Sequence, residues 1–375
     1  MHCCSPPGCE PVSSCFFNKN KPKMIPLFLV TLVHGIHLHT LKACPHRCRC
    51  YDSSHFVDCK DLSLMEIPKA IPQGTWMLDL KHNNLSEVDM DSFGELWSMK
   101  ILIISHNQIN KICSEAFTSF GFLEKLDLSN NWLTELPQDF SNSLVSLREL
   151  KLSNNRLQMV KFGSLQHLEK LEKLDMSGNW VYSLEKGTFR GLSKLRYLYL
   201  QRNRITVLHN GLFFMIQNVE VLHLGGNNIS TIEMEAFNSL HHITLLGLRN
   251  NQLTHLKFKT FSNIVTLGTH LQLSGNPWMC DCDLQRVFGK ILSVRYLHVD
   301  DYDNITCASP AQLTGFPLKS VDTQLCIAET ATVLVITITV LVTVVAAIVM
   351  AERNRKKRQQ KNWNEPDTAL ESHEK

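Results

Sequence analysis

Residues 125–133 read Lys-Leu-Asp-Leu-Ser-Asn-Asn-Trp-Leu, and the same phrase returns along the chain. Its second asparagine recurs at Asn83, Asn107, Asn131, Asn155, Asn179, Asn203, Asn227 and Asn251, a step of 24 each time, and Asn276 follows after 25. An aliphatic residue or methionine stands three places before each (Ile104, Leu128, Met176), and a leucine stands five before (Leu102, Leu126, Leu174). Another aliphatic residue follows two places after, as in Leu85, Leu133 and Ile205. Phenylalanine returns ten places after the asparagine as Phe93, Phe117, Phe189, Phe213, Phe237 and Phe261. A fixed period of this length marks a stack of identical supersecondary units.

The spacing has a direct physical meaning. Two leucines separated by one residue point to the same side of an extended segment, so each repeat places a short strand with its leucines inward. The chain must then turn, and the asparagine amide can satisfy backbone groups that the turn leaves unpaired. One unit of this size cannot bury its apolar face alone, whereas stacked neighbours can. The expectation is a solenoid with parallel strands on the concave face and irregular or short helical segments on the convex one. Phe140 stands one place early in the third repeat and Phe162 three early in the fourth, so the convex wall should be distorted there.

Two sets of four cysteines flank the repeats, at 44–59 and 280–326, which suggests disulfides formed in an oxidising compartment. Zinc is the alternative reading, but neither set has the paired CxxC or histidine spacing of a metal site. A solenoid also needs its open apolar ends covered. With these caps, the chain resembles the extracellular leucine-rich-repeat family over roughly residues 44–326. The resemblance implies an α/β leucine-rich-repeat solenoid with disulfide-bonded caps. It implies the pairs Cys44–Cys50 and Cys48–Cys59 at the N-terminal end, and Cys280–Cys307 and Cys282–Cys326 at the C-terminal end. The organisation expected is an upstream segment and signal peptide (1–43), an N-terminal cap (44–74) and repeats (75–275), eight full ones and a partial last. A C-terminal cap (276–326), a membrane helix (331–351) and a short basic tail (352–375) follow. Cap, helix and tail together also resemble the regulatory gamma subunits of large-conductance calcium-activated potassium channels.

From Met24 an apolar run, Ile25–Val33, follows Lys19, Lys21 and Lys23, which suits an export signal and is too short to span a bilayer. Translation from Met24 is the favoured reading, with cleavage between Gly35 and Cys44. Residues 331–351 carry no charge, long enough to cross a hydrocarbon core of about 30 Å. Arg353, Arg355, Lys356, Lys357, Arg358 and Lys361 follow at once, which predicts a type I plasma-membrane protein with its N-terminus extracellular. These basic residues also offer a contact to anionic lipid.

The repeat region is nearly neutral and lacks the basic footprint of a nucleic-acid binder. No HExxH, GxSxG or phosphate-binding loop is present, so neither an enzyme nor a cofactor or metal site is expected. Binding is what the shape offers: a protein ligand, or a membrane-protein partner for which the chain is an auxiliary subunit. Residues two, four and six places before each asparagine should face outward on the strands. Most are the polar defaults Lys125, Asp127 and Ser129 or Lys173, Asp175 and Ser177. The sixth repeat departs with Tyr197, Tyr199 and Gln201, beside Arg202, and His223 and Arg249 follow. Tyrosine and arginine are common hot-spot residues, so these six form the candidate partner-binding face. Glycosylation sequons occur at Asn84, Asn228 and Asn304. The first two share the position after the turn asparagine, so sugar is expected to close that edge to partners. Cys113 stands apart from both caps and is expected to be a buried thiol.

Overall fold

The computed structural model describes residues 44–94, 96–264, 266, 268–321 and 324–363; the export segment and the tail beyond 363 lie outside the described residues. The chain divides after Lys319 into two compact units.

The first unit is built on one twelve-stranded sheet. Arg49–Tyr51 and Phe56–Asp58 form an antiparallel hairpin, and every later strand adds in parallel. The register follows the sequence period: Lys125 lies beside Glu149, and Glu149 beside Lys173. The one longer step is absorbed between Leu245 and His270. Leu126 and Leu128, like their equivalents in other repeats, are fully buried.

The asparagines bind more than their own turns. Asn155 is 4% exposed. Its Nδ2 donates to the carbonyls of Leu152 in its own repeat and Leu128 in the preceding one, both at 3.0 Å. Its Oδ1 accepts from the N–H of Leu133, also in the preceding repeat, at 3.1 Å. Asn131, Asn179 and Asn203 repeat this pattern. The ladder therefore ties each coil to the one before it.

On the convex wall the expected irregular segments are joined by short parallel pairs, Glu87–Val88 with Lys111–Ile112 and Val207–Leu208 with Thr231–Ile232. Phe189, Phe213, Phe237 and Phe261 stack at centroid spacings of 6.0–6.2 Å. Phe140 stays in this spine, edge-on to Phe117 at 5.7 Å. In the fourth repeat Leu165 fills the spine position at 1% exposure, and Phe162 is outside at 53% with the Arg190 guanidinium over its ring.

Both ends are closed. Cys44–Cys50 and Cys48–Cys59 bridge the first hairpin region, and Cys280–Cys307 joins the C-terminal cap. Helix α1 (Cys282–Ser293) starts at Asp281, whose side chain accepts from the Leu284 N–H at 2.8 Å. It buries Leu284, Phe288 and Ile291. Trp278 is fully buried, edge-on to Phe288 at 5.9 Å, and its indole donates to the Leu273 carbonyl. Cys113 is buried but disulfide-bonded, which corrects the expected thiol. Cys282 and Cys326 are also disulfide-bonded.

The second unit is dominated by one helix, α2 (Gln324–Trp363). Its part Ala331–Gln359 holds an eighteen-residue window of mean hydropathy 3.0, long and apolar enough to cross a membrane.

Candidate protein-binding face

The outward residues of the sheet fall into three zones. Near the N-terminal end, Ile101 and Ile103 form a half-exposed apolar patch. In the middle the default charges neutralise one another. Glu149 accepts from the Lys125 ammonium at 2.9 Å and lies 3.5 Å from Lys173 and 3.7 Å from Lys151. Burial disfavours its ionisation, but the Lys125 hydrogen bond and the three ammonium charges outweigh it and hold its carboxyl below the usual range. A face whose charges are already paired has little net attraction to offer a partner.

The third zone begins at Tyr197. The Tyr199 ring stacks on the His223 imidazole at 5.5 Å with planes 16° apart, and Lys173 lies over its other neighbourhood at 5.6 Å. Tyr197 carries the Arg196 guanidinium at 5.4 Å, itself held by two bonds to Glu220. Burial, then the nearby Arg249 charge, pushes the His223 pKa down, so the stacked ring is neutral at pH 7. Gln201 brings a buried Oε1 that accepts no hydrogen bond among the described residues. Such an orphaned acceptor typically costs about 1–3 kcal/mol until a donor reaches it.

Two of the six candidate residues have other duties. Arg202 is not in the strand; it takes the left-handed turn position, with φ 56°. Arg249 faces outward as alternation requires, yet its Nε donates at 2.7 Å to Asp301, whose side chain is 1% exposed. A buried carboxylate needs a counter-charge, and Arg249 is it. Asp301 also accepts from the Leu273 N–H at 2.9 Å and the Ser274 N–H at 2.8 Å. Burial disfavours the ionised form, but these hydrogen bonds and Arg249 prevail and hold the carboxyl below its usual range. Arg249 is thus a cap residue, and its replacement would disturb the C-terminal end of the stack.

Gly247, outside the six candidates, lies in register with His223. A Cβ there would sit 2.8 Å from His223 Nδ1, so the bare backbone makes room for the imidazole beside Tyr199. The signal was available: a glycine in a column otherwise filled by side chains. Asn84, Asn228 and Asn304 are all exposed.

The "Leucine rich repeat" family description matches residues 76–133, 122–181, 179–229 and 217–277, together more than half of the chain. Mouse amphoterin-induced protein 1 is 38% identical over 76 residues, 20% of this chain and 15% of its own length. Human leucine-rich repeat-containing protein 3 is 38% identical over 82 residues, 21% of this chain and 32% of its own length. The matched segment is therefore a minor part of either relative. Among solved structures, human 5T4 (trophoblast glycoprotein) superposes with TM-score 0.57 at 23% identity, over 76% of this chain and 98% of that one. A chain from an octameric complex of Latrophilin 3, Unc5D and FLRT2 gives TM-score 0.58 at 24% identity, over 74% and 98%. At these identities the structural likeness speaks for the fold. With the repeat matched over more than half of its length, the chain belongs to the leucine-rich-repeat family, and it carries one helix long and apolar enough to cross a membrane.

Proposed function

We propose that this chain is a cell-surface receptor-like or adhesion protein whose concave sheet holds a protein partner around Tyr197, Tyr199 and Gln201. The observation that carries the reading is the break in charge pairing at the sixth repeat. There the self-neutralised lysines and carboxylates give way to two tyrosines, a neutral stacked histidine and a buried acceptor without a donor. Aromatic anchors of this kind contribute large contact area at small entropic cost. The amphoterin-induced protein and FLRT2 likenesses support a protein-binding surface role. The six basic residues after the apolar stretch support a cytoplasmic C-terminus.

The test is a screen of cell-surface ectodomains against cells displaying the full chain, repeated with variants. Tyr197→Ala with Tyr199→Ala should weaken the hit by about thirtyfold or more, matching about 2 kcal/mol for a hot-spot tyrosine. Lys81→Ala, on the same sheet but far from the tyrosines, should leave it unchanged. Lys125 and Lys173 are unsuited as controls because both hold Glu149. Equal loss from Lys81→Ala would spread the site along the whole sheet and defeat the localised reading. For orientation, an epitope placed after Lys375 should stain only permeabilised cells; staining of intact cells would reverse the topology.

A further inference from the structure

The edge that follows the asparagine turn presents one residue per repeat, directly after the asparagine. In chain order this column reads Asn84, Gln108, Trp132, Arg156, Trp180, Arg204, Asn228 and Gln252. The expected sugar would reach only part of it: the sequon asparagines Asn84 and Asn228 bracket five positions that carry no sequon. Four of those five alternate tryptophan and arginine. Trp132 and Trp180 are 42% and 40% exposed, two of the large apolar side chains that the first unit leaves open to solvent. Arg156 lies over the Trp132 ring at 5.1 Å and Arg204 over the Trp180 ring at 4.8 Å. No carboxylate is paired with either guanidinium among the described residues. Tyr182, also exposed, adds aromatic surface beside Trp180.

We propose that this ladder is the contact through which two copies of the chain associate, antiparallel about a two-fold axis between Arg156 and Trp180. An isologous interface must be self-complementary, each residue meeting the one that meets it in return. An alternating ladder of even length satisfies this in one register. Trp132 of one copy meets Arg204 of the other, and Arg156 meets Trp180, so every indole gains a second cation and every cation a second ring. A slip of one repeat would set arginine on arginine and tryptophan on tryptophan, which disfavours the neighbouring register. The same operation places Asn228 opposite Gln108 and Asn84 opposite Gln252. Both sequon positions therefore fall at the ends of the contact, where glycans would bound it rather than block it. Four repeats at about 4.8 Å each make a small interface, so the association is expected to be weak and reversible.

The register gives a direct test in the full chain at the surface of cells. Trp132→Cys with Arg204→Cys should yield a covalent dimer on non-reducing gels, because the two positions meet only between copies. Within one chain they lie three repeats apart, about 14 Å, beyond the roughly 7 Å Cα limit for a disulfide. Each single-cysteine variant should stay at the wild-type background, with surface biotinylation normalising for delivery. Cross-linking by the single variants, or none by the double variant at normal surface levels, overturns the antiparallel register. As a second measurement, the full chain in mild detergent should dimerise reversibly in sedimentation equilibrium. Trp132→Ala with Trp180→Ala should weaken that dimer at least tenfold, and Tyr197→Ala with Tyr199→Ala should not. A wild-type chain that stays monomeric throughout overturns the proposal. So does a monomer retained on immobilised heparin through Trp132 and Trp180, which would assign the ladder to an anionic polysaccharide.

Discussion

Replacing the buried Asp301 with alanine is expected to destabilise the first unit by about 3–5 kcal/mol. The carboxylate is 1% exposed and accepts from the backbone N–H groups of Leu273 and Ser274 as well as from Arg249. Alanine would leave two backbone donors of the last repeat without their acceptor, each worth about 1–3 kcal/mol when buried. Thermal unfolding followed by circular dichroism should show the loss; a change below about 1 kcal/mol would mean that the cap does not depend on this residue. Acidity offers a second reading. The folded-state pKa of Asp301 lies below its unfolded value. Its contribution is therefore complete above the unfolded carboxylate range and fades as the pH falls through the folded-state value. The stability gap between wild type and Asp301→Asn should accordingly be widest near neutrality and narrow in acid. Arg249→Ala should reproduce part of the loss, which disqualifies it as a probe of partner binding alone.

The second large effect is expected in the asparagine ladder. Asn155→Ala removes the bonds to Leu152, Leu128 and Leu133 at once, and should cost about 2–4 kcal/mol. The carbonyls of Leu128 and Leu152 keep a second donor, Asn131 and Asn179 respectively, so the main orphan is the Leu133 N–H. That keeps the figure below the sum of every bond removed. Gln252→Ala, on the exposed edge, should stay within about 0.5 kcal/mol. Equal melting temperatures for the two variants would mean that the ladder contributes nothing beyond the leucine core.

Local and periodic features were legible in the sequence; long-range pairings were not. The strand register follows from the 24-residue step because identical units can stack only in phase. The leucine core follows from the alternation of each LxL. Phe162 was misleading because periodicity marks a place in the spine without naming its occupant, and Leu165 had the better-placed side chain. Arg249 illustrates the limit of strand alternation: it gives direction but not partnership, and Asp301 lies 52 residues away in a cap with no repeat to follow. The lysines at 125 and 173 looked like inert defaults until Glu149 was seen between them. Trp132 and Trp180 share one repeat position in the sequence, but the guanidinium over each ring comes from the neighbouring coil and depends on how the coils stack.

The direction of the asparagine bonds also sets an order in time. Each amide reaches back to one carbonyl and one N–H of the coil before it, so a coil is unfinished until its successor has arrived. During synthesis the chain emerges N-terminus first, and the hairpin at Arg49–Asp58 is available as the template on which Met77–Asp79 can settle. Growth then proceeds as a one-way zipper with a single open tooth at its leading end. A chain interrupted anywhere in the array would expose only that last coil, while the coils behind it are already locked. Asp301 ends the sequence from the cap: it accepts from the Leu273 N–H, whose counterparts Leu224 and Leu248 donate to backbone carbonyls of the next strand.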